Sequence, residues 1–171
     1  MIIGICCVDK NWGLGKANSL LFNLKKDMQF FKQTTADSIV VCGLNTLLSF
    51  PGSKPLKGRS TIVICPEGYD RDDCFCVHSF EDLIKLITEL SKTQNVFIIG
   101  GGMLYKSMLP YYDKIYVNKV DAEGEAEVFF PNLDEHPNYE PHQFLPTIED
   151  EGYQTQLVVY TRKIPLEGLE G

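Results

Sequence analysis

The chain has 171 residues, of which 44% are hydrophobic and 23% charged, and this length and composition predict one globular domain with one core. The formal net charge of −7 argues against a nucleic-acid-binding protein, because such proteins usually present a basic surface. No apolar run reaches the roughly 18 residues that a membrane span needs, and the N-terminus lacks the basic lead-in and cleavage site of a signal peptide.

Short apolar segments, many of them β-branched and some apolar on both faces, predict strands of a parallel sheet covered on both sides. These strands are Ile2–Val8, Ser38–Cys42, Ser60–Cys65, Cys74–Val77, Val96–Ile99 and Ile115–Val120. Helical patterns lie between them: about Leu24 to Thr34, a short helix after Gly43, a helix opened by the capping-box-like Ser79 and running to Leu90, and Met103–Leu109. Strands that alternate with helices predict an α/β sheet.

The C-terminal third shows no helical pattern. Tyr139–Phe144 and Thr155–Thr161 are predicted to be two strands, joined through the acidic turn Glu149–Gly152, that close one edge of the sheet in antiparallel sense. We therefore expect a single-domain, open mixed sheet of about eight strands, mostly parallel, with about four helices over residues 1–163. Residues 164–171 are expected to be a disordered tail.

The six cysteines show neither a CxxC motif nor a paired Cys/His spacing. This pattern predicts buried, reduced thiols in a cytoplasmic protein and gives no indication of a metal site.

Asp27 stands in an apolar stripe of the first predicted helix. Leu24, Met28 and Phe31 recur at helical spacing, and Asp27 falls three residues after Leu24 and four before Phe31. A carboxyl group on a core-facing stripe is costly to ionise, so we expect a raised pKa and a functional role. The alternative is a first-turn aspartate that complements the helix dipole.

Glycines mark two strand-to-helix junctions. Gly100–Gly102 separates a buried strand from a helix, and Gly43 does the same just before Thr46. Glycine lets the backbone approach a ligand closely, and the free N–H groups at a helix start suit phosphate. The pattern is neither G-x-G-x-x-G nor a P-loop, and a plain tight turn is the alternative at each place. Two such junctions fit a pyrophosphate-containing dinucleotide at the carboxyl edge of a parallel sheet.

Two further segments are candidates for binding. Gly13-Leu14-Gly15-Lys16, preceded by Trp12, belongs to a connection of about a dozen residues, which is long enough to suggest a mobile functional loop rather than a plain surface excursion. Arg59 follows the constrained loop Pro55–Gly58, and its guanidinium could grip a carboxylate bidentately. No set of residues suits nucleophilic catalysis, so these parts favour a reaction whose hard step belongs to a cofactor.

Six motifs, in order, resemble those of the dihydrofolate reductase family from Ile2 to about Arg162. They are V-D with W-G (Val8 to Gly13), N-L-x-x-D-M-x-x-F-F (Asn23 to Phe31), C-G-x-x-T (Cys42 to Thr46), P-L-x-G-R (Pro55 to Arg59), I-G-G-G-x-x-Y (Ile99 to Tyr105) and D-A-E with a later F-P (Asp121 to Pro131). The resemblance implies a sheet of eight strands, seven of them parallel, with four helices. It also implies a monomer that reduces 7,8-dihydrofolate to tetrahydrofolate with NADPH.

The resemblance assigns roles to particular residues. Asp27 would bind the 2-amino group and N3 of the pterin and favour protonation at N5, while hydride passes from the nicotinamide to C6. The implied substrate contacts are Ile5, Met28, Phe31, Lys32, Phe50, Leu56, Arg59, Ile99 and Asn118. The implied cofactor contacts are Cys6, Trp12, Gly13, Gly43, Asn45, Thr46, Ile64, Cys65, Gly100, Gly101, Gly102, Met103, Leu104 and Tyr105. Gly100–Gly101 matches the family's non-proline cis peptide, and the segment from Trp12 to Phe22 would be a lid over the nicotinamide.

Some residues depart from the family pattern. Phe22 replaces a common tryptophan, Asn118 stands where a threonine is usual, and Leu44 and Met103 occupy positions that carry arginines in well-known bacterial members. Two alternatives remain at this stage: a pyrimidine reductase of riboflavin synthesis, and a non-catalytic folate- or nucleotide-binding protein on the same fold.

Overall fold

The structure is a computed structural model that describes residues 1–16 and 19–163. The expected tail at 164–171 lies outside the described residues. The strands are β1 (Ile2–Val8), β2 (Gly13–Lys16), β3 (Ser19–Leu20), β4 (Ile39–Gly43), β5 (Ser60–Ile64), β6 (Phe75–Val77), β7 (Val96–Gly100), β8 (Lys114–Val120), β9 (Val128–Phe129), β10 (Tyr139–Phe144), β11 (Ile148–Asp150) and β12 (Tyr153–Arg162). The helices are α1 (Lys25–Thr35), α2 (Leu44–Ser49), α3 (Phe80–Leu90) and α4 (Gly102–Ser107), with a 3-10 turn over Pro51–Ser53.

Eight strands form the main sheet in the order β10-β12-β8-β1-β7-β4-β5-β6, and β11 pairs with the start of β12. Pairing is parallel from β8 through β1, β7, β4 and β5 to β6. Only β12 runs against this direction among these eight described strands, because it is antiparallel to both β8 and β10. The expected mixed sheet with an antiparallel C-terminal edge is confirmed.

Helices cover both faces of the sheet. Val40 and Val41 are adjacent on β4 and both fully buried, as expected for a strand with helices above and below. On one face, Phe30 and Phe31 of α1 pack near Ile3 of β1. On the other, helices α3 and α4 pack in the larger hydrophobic cluster. Burying one such large apolar side chain stabilises the fold by roughly 1.5–3 kcal/mol.

The start of α3 follows the expected capping pattern. Ser79 takes the N-cap position, and its side chain accepts a hydrogen bond of 3.1 Å from the backbone N–H of Asp82. This bond satisfies one of the N–H groups that a helix start leaves unpaired. The helix therefore begins at Phe80, where the sequence places it.

The long connection after β1 contains strands that the sequence analysis treated as loop. β2 pairs with both β3 and β9 to form a separate three-stranded sheet. These strands have two to four residues and little alternation of apolar side chains, so no pattern indicates them. Their order comes from pairing with a distant segment: the backbone N–H of Glu127 donates to the carbonyl oxygen of Gly15 across 2.9 Å.

Candidate active site

The described site lies at the carboxyl edge of the central strands. β1, β7 and β4 are neighbours, so Gly43 and Gly100 come to the same edge, with Cys42 paired to Gly100. α1 packs over β1 beside this edge. Clefts of this kind, outside the carboxyl ends of parallel strands, are where open α/β sheets bind ligands.

Asp27 lies in the first turn of α1 and is half-buried. The side-chain amide of Asn118 on β8 donates a hydrogen bond of 2.9 Å to Oδ1 of Asp27. Burial raises the pKa of Asp27 above its ordinary value, Asn118 opposes that rise, and the charge of Asp150 adds to it. The expected raised pKa is therefore confirmed, and the group can hold a proton at higher pH than an ordinary aspartate.

The N-terminus of α1 is capped from a distant turn. Leu24 occupies the N-cap position and offers no side-chain acceptor. The carboxylate of Asp150, at the end of β11, instead accepts from the backbone N–H groups of Lys26 at 3.2 Å and of Asp27 at 2.9 Å. Asp150 is only 2% exposed. Sequence reasoning missed this residue, and the one available signal was the absence of a capping side chain before Lys25.

Apolar side chains surround the acid. Ile5 is buried on β1, and Phe31 is half-buried against the same cluster. Met28 is 39% exposed, so the buried face of α1 passes through Phe30 and Phe31, and the Met28 side chain remains accessible to a ligand. Among the other expected substrate contacts, Phe50, Leu56 and Ile99 are half-buried and Lys32 is exposed.

Arg59 is fixed by three contacts. Its Nε donates to the hydroxyl of Thr35 at 3.0 Å, one terminal nitrogen donates to the carbonyl of Lys32 at 2.6 Å, and the other donates to the carbonyl of Lys57. A guanidinium has five N–H groups, so one remains on each terminal nitrogen. That arrangement suits a bidentate carboxylate.

The two glycine junctions lie side by side at this edge, because β4 and β7 are neighbouring strands. A Cβ atom on Gly43 would lie 3.9 Å from the amide nitrogen of Gly101, and a Cβ on Gly101 would lie 3.4 Å from Oγ1 of Thr46. Gly100 has a φ of 126°, which side chains other than glycine rarely adopt, and the expected cis peptide between Gly100 and Gly101 is present. The edge therefore offers a narrow cradle with backbone amides and one hydroxyl.

Several expected cofactor contacts lie below this edge. Tyr105 is buried and donates its hydroxyl to the carbonyl of Ile5 at 2.7 Å. The Trp12 indole is buried between the rings of Phe130 and Tyr160, at centroid distances of 6.3 and 5.9 Å. Tyr105 and Trp12 therefore pack in the core beneath the carboxyl edge of the sheet. Of the other expected contacts, Cys6, Cys65 and Leu104 are buried, Ile64 is half-buried, and Asn45 and Met103 are exposed.

The three-stranded sheet of β3, β2 and β9 packs directly on the Gly100–Gly102 junction. A Cβ on Gly102 would come within 2.3 Å of Cγ1 of Val128 on β9, so this contact requires glycine. Beside the start of β2, the buried Asp9 carboxylate accepts from the backbone N–H groups of Asn11, Gly13 and Gly124 at 2.7 to 3.0 Å. The sequence analysis includes Asp9 in the V-D motif but assigns it no role.

Other cavities lie away from this cleft. One of about 380 Å³ is lined by residues that include Asp9, Trp12 and Lys119. Lys119 follows Asn118 on β8, and neighbouring residues of a strand face opposite sides of the sheet, so this cavity lies on the side away from Asn118. Another, of about 500 Å³, lies between β6 and α3. We place the site over Asp27 because the half-buried acid and the cradle are there.

Over 1–16 and 19–163, no group of three or more His, Cys, Asp or Glu side chains could hold a metal ion. The helices of this part of the chain include none long and apolar enough to cross a membrane.

Comparison with known proteins gives consistent matches. A family model described as Dihydrofolate reductase matches residues 1–162. The chain is 28% identical to dihydrofolate reductase of Haemophilus influenzae, over 88% of this chain and 91% of the relative, and 36% identical to that of Schistosoma mansoni, over 76% and 77%. A solved structure of dihydrofolate reductase from Enterococcus faecalis, complexed with NADP(H) and RAB-propyl, superposes with a TM-score of 0.83 at 28% identity, over 96% of this chain and 97% of that one.

Proposed function

The chain belongs to the dihydrofolate reductase family, and we propose that Asp27 is the acid on which its catalysis depends. The protein is an enzyme that reduces 7,8-dihydrofolate to 5,6,7,8-tetrahydrofolate with NADPH. One hydride and one proton are added to the substrate, so the enzyme must both position a hydride donor and supply a proton. The observation that carries the proposal is the half-buried carboxyl group of Asp27 in the first turn of α1, held by Asn118 at 2.9 Å, and the raised pKa of Asp27 agrees with it.

The cradle between the two glycine junctions fits a dinucleotide. The cradle presents the backbone N–H groups beside Gly43 and Gly101 and the hydroxyl group of Thr46. A side chain at either glycine would narrow the space in front of these donors. Helices α2 and α4 have only six residues each, so these local donors, rather than long helix dipoles, would hold the pyrophosphate. When bound there, NADPH supplies the hydride.

Asp27 would orient and activate the pterin. Its carboxylate would accept from the 2-amino group and N3, and Asn118 holds Oδ1 in place from β8. In its protonated form, the acid would favour protonation at N5 while C6 receives hydride. Ile5 and Phe31 form the apolar surroundings that exclude water from the ring and strengthen these interactions.

Arg59 would bind the glutamate end of the substrate. Its two unused N–H groups, one on each terminal nitrogen, match the two oxygens of the α-carboxylate. Thr35 and Lys32 both belong to α1, so the same helix positions both the acid and this arginine. The distance between the two ends of the substrate site is thus set by one rigid element.

We also propose that the enzyme is a cytoplasmic monomer that does not act on nucleic acid. The six described cysteines are all free, which fits a reducing compartment. The net charge of −7 is unfavourable for association with nucleic acid. Light scattering coupled to size exclusion tests the monomer, and a mass near twice 19.3 kDa would refute it.

Replacing Asp27 by asparagine tests the catalytic proposal. The Asp27→Asn variant keeps the acceptor for Asn118 but cannot supply a proton, so single-turnover hydride transfer at neutral pH should fall about 10²- to 10⁴-fold. The matched control is Asp37→Asn, an exposed acid just after α1, which should retain the parent rate. Undiminished hydride transfer to dihydrofolate in Asp27→Asn would refute the role of the acid.

A further inference from the structure

Asp27 is held from two directions by groups outside its own helix. Asn118 of β8 fixes its carboxylate at 2.9 Å, and Asp150 of the β11 turn fixes its backbone N–H at 2.9 Å. These anchors are connected, because Asp150 pairs with Tyr153 at the start of β12 and Leu157 of β12 pairs with Asn118. The C-terminal hairpin and β8 therefore form one support behind the first turn of α1.

We propose that Asp150 is a positioning residue for Asp27: it fixes the first turn of α1, and its negative charge controls how readily Asp27 accepts a proton. The inference rests on the proposed function, since it matters for catalysis only if Asp27 is the acid. Asp150 would not touch the substrate, and it would act through Asp27 alone.

The geometry supports both parts of the proposal. Each oxygen of Asp150 accepts a separate N–H, from Lys26 at 3.2 Å and from Asp27 at 2.9 Å. Helix starts leave these donors unpaired, and Leu24 cannot satisfy them. Because Asp150 is 2% exposed, water screens its charge little, and a second carboxylate nearby makes ionisation of Asp27 less favourable.

The other titratable groups around Asp27 do not offset this charge. The thiols of Cys6 and Cys7 on β1 and the hydroxyl of Tyr105 on α4 all have pKa values raised, mainly by burial, and are neutral at pH 7.

The nearby lysines of α1 are directed to the β11 turn. Lys26 donates through Nζ to the carbonyl of Glu149, and Nζ of Lys25 lies 4.0 Å from the carboxylate of the exposed Glu151. Both amines are therefore engaged with the turn that carries Asp150. Asp150, by contrast, is a buried charged side chain that accepts hydrogen bonds from backbone N–H groups in the first turn of α1.

The test compares Asp150→Asn with Glu151→Gln. Both remove one negative charge from the same turn, but only Asp150 is buried and bonded to α1. We expect the falling limb of the pH profile of single-turnover hydride transfer to move down by about one pH unit in Asp150→Asn, and to stay in place in Glu151→Gln. Carbon-13 NMR of the Asp27 carboxyl group, in the protein without ligands, should show the same downward shift.

The outcomes separate the two proposals. If Asp27→Asn retains full rate, the proposed function fails whatever Asp150 does. If Asp27→Asn is impaired but neither the pH profile nor the carboxyl titration moves in Asp150→Asn, Asp150 is merely a helix cap and the inference is overturned. Should Asp150→Asn not fold, Asp150→Ser removes the same charge, keeps one acceptor for α1, and is judged by the same carboxyl titration.

Discussion

Asp27 carries an ionisable carboxyl group that the fold partly removes from water. Its neighbours do not compensate fully: Asn118 donates one hydrogen bond, whereas the charge of Asp150 opposes ionisation. The proposed reaction requires an acid that keeps its proton to higher pH than an ordinary aspartate, but a raised pKa also means that ionisation weakens the folded state. The residue proposed as the catalytic acid should therefore reduce stability.

We expect Asp27→Asn to be more stable than the parent at pH 7, by ~1 kcal/mol, the usual scale for one substitution. In the unfolded chain the carboxyl group loses its proton near its ordinary value of 3.8, while the folded protein keeps the proton to higher pH. Stability of the parent therefore falls as pH rises between these two values, and asparagine avoids that loss. Urea unfolding without ligands at pH 7 and near pH 3 measures the difference.

The same experiment contains its control. Near pH 3 neither the parent aspartate nor the asparagine of the variant is charged, so the gain in stability should largely vanish there. The exposed Asp37→Asn should show no comparable gain at either pH. Equal or lower stability of Asp27→Asn at pH 7 would mean that the fold accommodates the ionised acid without penalty.

At the scale of elements, the three-stranded sheet of β3, β2 and β9 depends on one buried carboxylate. Asp9 follows β1 and accepts from Asn11, Gly13 and Gly124, which joins the start of β2 to the segment before β9. Asp9 is 4% exposed, so water cannot readily replace it. β2 and β9 themselves have few residues, and their pairing alone gives a weakly held sheet.

Asp9→Ala should loosen the pairing of β2 with β9 and raise KM for NADPH about tenfold while leaving the fold intact. The substitution leaves three backbone N–H groups without their acceptor, and the free energy lost in holding these two strands beside the proposed cofactor edge should appear as the rise in KM. Hydrogen exchange should speed at Gly13 and Gly124. The control is Asp121→Ala, which removes an acid that is 69% exposed and pairs with Lys10 across 3.3 Å. Unchanged exchange at both glycines in Asp9→Ala would exclude the anchoring role.

The sequence predicts those features that arise from neighbouring residues, and it does not predict contacts between residues far apart in the chain. The strands of the main sheet and α1, α3 and α4 follow from apolar period and capping, and their bounds differ from expectation by one or two residues at most places. The acid and the glycine edge follow from residue type and spacing. The cap from Asp150 to Asp27 joins residues 123 positions apart, and no local pattern encodes such a pair. The same holds for Gly124 and Asp9.

At the scale of the whole molecule, charge opposes both ligands. The net charge is −7, while NADPH and dihydrofolate are anions. Arg59 and Lys32 provide local positive charge at the proposed glutamate end. At the proposed cofactor edge, Leu44 and Met103 provide none. Binding of the cofactor should therefore rely on short-range contacts made after an unfavourable approach.

We expect the association rate constant of NADPH to rise with ionic strength, by about two- to threefold between about 20 and about 200 mM salt. Salt screens the repulsion between an acidic protein and an anion. Over this range of salt concentration the Debye length falls from roughly 20 Å to below about 10 Å, so charges distant from the binding site stop repelling the cofactor. Stopped-flow fluorescence measures the rate directly. NADH lacks the 2′-phosphate and carries less negative charge, so its association should respond less. A rate that falls with salt would mean that a local cationic field, which Leu44 and Met103 do not supply, steers the cofactor to its cradle.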